Sequence, residues 1–315
     1  MGSRHLTVGI IFLSQTGVGM LGNSSFFVLY CLVFCTGLKL RLSDHILKHL
    51  CLANCLVLLS KGIPQIMTSF GRNDFLDDHG CKFLFYVHRV AREVSLSSTC
   101  LLSVFQAMTV IPSKFRWTKL KVRAPKYIEH FCFLIWVLHL LGNILVPLKL
   151  FASRNTTQNH FIYCSADYAT LNSIYHALFH GSIDVICLCF LMWTSGSLVL
   201  FLHRHKQQVK YIRNYRHNSS LSPETKATQS VLILGCTFVF FFTLSSISST
   251  CVTFLIVPEW WILDINIFLD ACFSTISPFM LICSHSHISR LLVILCERNQ
   301  IFHRFHISHK STRIC

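Results

Sequence analysis

Charge is scarce in this chain, and acidic charge is scarcest. Of 315 residues only 13% are Asp, Glu, Lys or Arg, and 13 acidic side chains stand against 28 basic ones. A soluble chain of this length could bury a good core, but it would need a more polar surface than this. The chain also lacks any Cys-x-x-Cys pair and any His-Glu-x-x-His run. A structural zinc or a metalloprotease centre therefore has no motif to rest on. A cleavable signal peptide is missing too: only Arg4 and His5 precede a first apolar run of about thirty residues, which reads as a signal anchor. Leu6 stands where the myristoylation pattern needs Ser or Thr.

What is there is apolar residue in long blocks, 52% of the chain. Seven runs are long enough to cross a bilayer: Leu6–Cys35, Ile46–Phe70, Cys81–Ile111, Ile128–Leu150, Ser173–Leu202, Thr228–Val257 and Trp260–Cys283. Each is far longer than the roughly ten residues of a tilted barrel strand, so the expected fold is all-α, a polytopic bundle of seven transmembrane helices. The second run is interrupted by Lys61, Gly62 and Pro64. Pro64 is expected to kink its outer end without ending the span.

A net charge of +15 raises nucleic acid as a partner, but the basic blocks are the connectors between apolar runs. They read as a topology signal and as contacts for membrane lipid, with no nucleic acid implied. Alternate connectors and the C-terminal tail hold twenty Lys and Arg, and the opposite set holds five. The positive-inside rule then places the N-terminus outside and the C-terminus in the cytoplasm. An odd span count without inverted repeats argues against a transporter.

Most of the 16 cysteines lie inside spans, where a free thiol behaves as a small hydrophobe. Cys81, at the outer mouth of the third span, and Cys164, in the fourth-to-fifth connector, face the oxidising side and are a disulfide candidate. Of three sequons, Asn23 falls in a span and Asn218 in a basic inner loop. Only Asn155 can meet the glycosylation machinery.

Seven helices, an outer N-terminus and a bond from the third helix to the second outer loop together resemble a G-protein-coupled receptor. Longer stretches narrow the resemblance. LSDHILKHLCLANCLVLLSKGIPQ, HGCKFLFYVHRVAREVSLSSTCLLSVFQA, RAPKYIEHF, WTSGSLVLFLHRHKQQVKYI, SPETKATQSVL and the ACFSTISPFMLI that follows a Trp-Trp pair are similar to vomeronasal type 1 receptors. These blocks run from Leu42 to Ile282, nearly the whole chain.

Against the wider rhodopsin-like class the chain departs in several places. The Asp-Arg-Tyr element is replaced by Phe105-Gln106-Ala107, and the Asn-Pro-x-x-Tyr element appears as Ser277-Pro278-Phe279-Met280-Leu281. The sodium-site Asp of the second helix corresponds to Asn54, and the sixth span has no proline. Gly22-Asn23 and Trp136 do match that class.

The resemblance implies a chemosensory, pheromone-type receptor in the plasma membrane rather than an enzyme, without cofactor or metal. It also implies a small-molecule ligand and a heterotrimeric G protein of the inhibitory class as partners. A bitter-taste-type receptor is the nearest alternative. A seven-span metal-dependent hydrolase using Asp44, His45 and His49 is a remote one. The expected division is a helical domain over 1–283 and a cytoplasmic tail over 284–315. In that tail Ile288, Leu291, Leu292 and Leu295 fit an amphipathic surface helix, and Cys296 is a palmitoylation candidate.

The residues that carry chemistry sit at two levels. His88, Arg89, Arg92 and Glu93 lie seven to twelve positions inward from Cys81, about 10–18 Å along a helix. Spacings of three and four place them on one broad face. A charge directed at lipid there costs at least a few kcal/mol, so the face should turn to an interior cavity. The bland reading is an Arg89–Glu93 pair that merely holds the helix. Two Arg against one Glu leave one cation for an outside partner, for Asp264 or for Asp270.

On the fifth span His176, His180 and Asp184 form a second polar stripe, better suited to lining the cavity than to a metal. At the inner level Gln106 and the basic residues Lys119, Lys121, Arg123, Lys206 and Lys210 are the expected G-protein surface. Ser219, Ser220, Ser222 and Thr225 in the loop beyond are phosphorylation candidates.

Overall fold

A computed structural model describes residues 3–36, 42–72, 76–110, 117–144, 171–213, 233, 235–248 and 260–284. Every regular element among them is a helix, and there are seven. They are α1 (Ser3–Cys35), α2 (Leu42–Ser69), α3 (Asp78–Val110), α4 (Trp117–Gly142), α5 (Leu171–Arg213), α6 (Gly235–Ser248) and α7 (Trp260–Ser284). Each falls on one of the seven apolar runs.

Among the described residues four segments are long and apolar enough to cross a membrane by composition: His5–Cys35, Leu42–Ser69, Asp184–Phe201 and Trp261–Leu281. The charged stretch HRVARE in α3 dilutes the hydropathy that would single that helix out. The outward faces of the bundle are apolar. Trp193 is 76% exposed, and Leu21, Phe133, Ile186 and Phe240 are exposed as well, a surface that suits lipid and not water.

α2 continues unbroken through Pro64 and stops at a glycine cap. Gly71 takes φ 84°, a conformation that costs residues with a Cβ. Its N–H donates to Thr68 O at 2.9 Å, and the Arg72 N–H donates to Met67 O at 2.9 Å. This paired closure satisfies the last carbonyls of the helix.

α2 packs against α1, α3, α4 and α7, and α3 packs against α2, α4 and α5. Small residues set the close contacts, as expected where lipid gives no hydrophobic drive between helices. A Cβ placed on Gly22 would come within 2.7 Å of Pro278 Cγ, so that glycine is what lets α1 lie on α7. Phe238 and Phe242 of α6 stack at 5.3 Å between ring centres, and Phe238 meets Phe273 of α7 edge-on at 4.3 Å. These rings join Tyr30, Leu50, Leu96, Cys132 and Leu191 in one buried core to which all seven helices contribute.

At mid-bundle the polar side chains bond to one another. Asn54 Nδ2 donates to Ser277 Oγ at 2.9 Å and to Asn23 Oδ1 at 3.3 Å. Its Oδ1 accepts from Ser95 at 2.9 Å and from Ser274 at 3.3 Å. One fully buried amide therefore ties α1, α2, α3 and α7 together.

Candidate functional site

α3 carries its charged stretch into the bundle, and the two halves of that stretch point in different directions. Consecutive helical residues are about 100° apart, so Arg92 and Glu93 diverge although Arg89 lies within one turn of both. The single broad face expected for these residues is thus two faces.

Glu93, buried, turns to α4. Its Oε2 accepts from Asn143 Nδ2 at 2.6 Å and lies 3.0 Å from His139 Nδ1. Arg89 Nε stands 3.6 Å from Glu93 Oε1, and Ser97 Oγ is 2.8 Å from the other nitrogen of His139. This is the structural pair of the bland reading, with α4 added to it.

Arg92 turns to α5, α6 and α7. Its Nη1 lies 3.6 Å from Asp184 Oδ2, its Nε 3.8 Å from Asp270 Oδ1, and its Nη2 donates to Ser246 Oγ at 3.1 Å. The guanidinium carbon sits 4.1 Å from the centre of the Phe242 ring, a cation–π contact. Asp270 gathers the rest: Lys61 Nζ of α2 at 3.4 Å, His88 Nε2 at 3.6 Å, and a hydrogen bond from Ser245 Oγ. His88 Nδ1 also lies 3.3 Å from Ser60 Oγ. Leaving His88 aside, two cations meet two carboxylates, and five helices contribute to the arrangement.

Of the alternatives weighed for the second cation, an internal one holds: Arg92 is paired inside the protein. Of the two acidic residues named for it, Asp270 is a partner. Asp264 instead accepts from Gln65 Nε2 of α2 at 2.7 Å. The polar stripe on α5 divides as well. Asp184 reaches Arg92, while His180 and His176 occupy positions one and two turns earlier on the helix.

Lys61 is the participant that sequence reasoning missed, having noted it only as an interruption of the second span. The signal was available, since a lysine inside an apolar span calls for an acidic partner. Ser245, Ser246, His139 and Asn143 carried no such signal.

Beside this cluster lies a cavity of about 20 Å³ lined by Arg92, Asp270, Ser95, Phe238, Phe242 and Phe273, among others. That is room for a water-sized guest. An organic ligand fits only when these side chains move apart.

Near the start of α2, Glu129 of α4 pairs with His45 and with Lys48, the latter at 2.5 Å. His49 Nδ1 accepts from Trp136 Nε1 at 3.2 Å. The two histidines weighed as metal ligands are thus engaged in joining α2 to α4. Among the described residues no group of three His, Cys, Asp or Glu could hold a metal ion. Gln106 lies on the last turns of α3, Lys119, Lys121 and Arg123 on the first turns of α4, and Lys206 and Lys210 on the last turns of α5.

Cys81, on the first turn of α3, is buried and disulfide-bonded. Cys164, Asn155, the loop serines and threonine from Ser219 to Thr225, and the tail beyond Ser284 with Cys296 lie outside the described residues.

The sequence matches the model of the vomeronasal organ pheromone receptor family over residues 6–294. It is 44% identical over 311 residues to the human vomeronasal type-1 receptor 3, covering 96% of this chain and 98% of that one. To the gorilla vomeronasal type-1 receptor 1 it is 42% identical, covering 93% and 84%. A more distant relative is the zebrafish olfactory receptor class A-like protein 1, 31% identical with 90% and 91% covered. These matches favour the vomeronasal reading over the bitter-taste one. Seven helices with apolar outer faces, a charged cluster at their centre and near-full-length relatives lead to one assignment: the chain belongs to the vomeronasal type 1 receptor family of chemosensory G-protein-coupled receptors.

Proposed function

We propose that this receptor binds a small, mostly apolar ligand in the outer half of its bundle and activates a heterotrimeric G protein of the inhibitory class. The observation that carries the reading is the Arg92 cluster. Ionisable groups inside a membrane bundle are costly, and they mark ligand or ion pathways more often than they serve packing. Here they adjoin aromatic walls from Phe238, Phe242 and Phe273, a lining that suits an apolar body bearing one or two polar groups. His88 and Asp270 stand at the same level, and Asp264, His176 and His180 lie nearer the outer helix ends.

In this reading the receptor spans the plasma membrane with its N-terminus outside. Residues 1–283 form the transmembrane domain and 284–315 a cytoplasmic tail that rests on lipid. Cys164 is the partner of Cys81, and Asn155 carries the glycan. Gln106, Lys119, Lys121, Arg123, Lys206 and Lys210 form the inner surface that meets the G protein, in place of the absent Asp-Arg-Tyr element.

Urinary and steroid fractions screened on receptor-expressing cells with a calcium readout test this. An active fraction is expected to act on wild type and to need higher concentrations on Arg92→Ala at comparable surface amount. Equal responses from the two receptors overturn the site.

A further inference from the structure

Arg92 is held between two carboxylates that differ in kind. Asp270 is buried, its side chain 4% exposed, and is also gripped by Lys61, His88 and Ser245. Asp184 is 17% exposed and comes from α5. Any acceptor entering beside Arg92 must therefore compete with one of these oxygens, and Asp184 is the one nearer water.

We propose that the Arg92–Asp184 pair is the contact that ligand binding breaks, with Asp184 acting as a built-in counter-ion that an incoming anionic head group replaces on Arg92. The inference rests on the ligand reading above and adds to it the class of head group and the helix that is released.

The charge balance selects the head group. With Lys61 and Arg92 matched by Asp184 and Asp270, a cationic ligand would find both carboxylates taken and two cations nearby. A neutral acceptor competes poorly with a carboxylate, because it offers Arg92 only a dipole where Asp184 offers a full opposite charge. An organic anion with an apolar body exchanges like for like, and its body replaces contacts among the phenylalanines of the cavity.

The consequence travels along α5. That helix runs without interruption from Leu171 to Arg213. Lys206 lies 22 positions beyond Asp184, about 33 Å along the axis. Freeing Asp184 from α3 removes a restraint on a rod whose far end carries Lys206 and Lys210. A ligand shifts such a balance only through a contact that differs between the two states, and this pair supplies one.

Two variants test the lock without any ligand. Asp184→Asn removes the counter-ion. Ser246→Asp places a carboxylate where Arg92 now donates to a hydroxyl, mimicking the anionic head with Asp184 still present. Both are expected to raise ligand-independent nucleotide exchange per surface receptor, by about fivefold for the loss of one partly buried pair. Asp184→Glu, which keeps the charge, should raise the ligand-independent rate less than Asp184→Asn does.

Decanoate, decanol and decylammonium, three probes with one apolar body, test the head group. Decanoate should act at the lowest concentration on wild type, and at roughly tenfold lower concentration still on Asp184→Asn. If Asp184→Asn does not reach the surface, Ser246→Asp decides the matter, and an unchanged basal rate there overturns the proposal. So does decylammonium as the strongest probe. Flat basal rates in both variants, with a ligand response still sensitive to Arg92→Ala, would remove this lock and leave the binding reading standing.

Discussion

Lys61 on α2 meets Asp270 on the neighbouring α7, with 3.4 Å between Nζ and Oδ2. The two residues are 209 positions apart, and each sits in an apolar helix where it would be costly alone. Asp270→Ala should strand Lys61 and leave Arg92 with Asp184 as its carboxylate, a loss on the order of 3–5 kcal/mol for a buried pair broken on one side. Lys61→Met should be milder, because His88 and Arg92 still face Asp270. Surface amount and melting temperature of the purified receptor should rank Asp270→Ala below Lys61→Met. The double variant should recover part of the loss. The reverse ranking would mean that Lys61, not Asp270, organises the cluster.

Glu93 holds to His139 and Asn143 rather than to the Arg92 cluster. Glu93→Ala should lower surface expression, because Asn143 Nδ2 and the His139 ring lose their acceptor, at about 1–3 kcal/mol for a buried group left unpaired. Glu93→Gln keeps an acceptor and should be the milder change. Ligand sensitivity per surface receptor should be the same in both, in contrast to Arg92→Ala. A selective loss of ligand response in Glu93→Gln would assign Glu93 to the site after all.

For the outer disulfide, Cys81→Ser and Cys164→Ser should each abolish surface expression, and the double variant should be no worse than either single. A bond closing this loop is expected to contribute about 2–4 kcal/mol. Additive damage from the two changes would show that the cysteines do not share a bond.

Orientation is checked with tags. An epitope at the N-terminus should be reached by antibody on intact cells, and one after Cys315 only after permeabilisation. Both tags on the same side would contradict seven spans.

At the inner face, neutralising Lys119, Lys121 and Arg123 together should reduce G-protein activation while surface amount stays near wild type. Full activity in that triple variant would remove this part of α4 from the coupling surface.

The sequence by itself determined how many helices there are and roughly where they begin, because hydropathy over a bilayer-length window is a local property of the chain. It also yielded the family, through blocks from Leu42 to Ile282 that need no coordinates to compare. Within the site it singled out Arg89, Arg92 and Glu93, since charges in an apolar run are conspicuous wherever they point.

Tertiary structure alone decided the pairing. That Arg92 leaves Glu93 for Asp184 and Asp270, that Lys61 joins them, and that Asp264 goes to Gln65 depend on how five helices rotate about their own axes. Those rotations are set by distant packing such as Gly22 on Pro278 and Phe238 against Phe273. A helical period tells which residues share a face. It does not tell which neighbour that face meets, because the partner lies scores to hundreds of residues away and is chosen by the summed packing of the whole bundle.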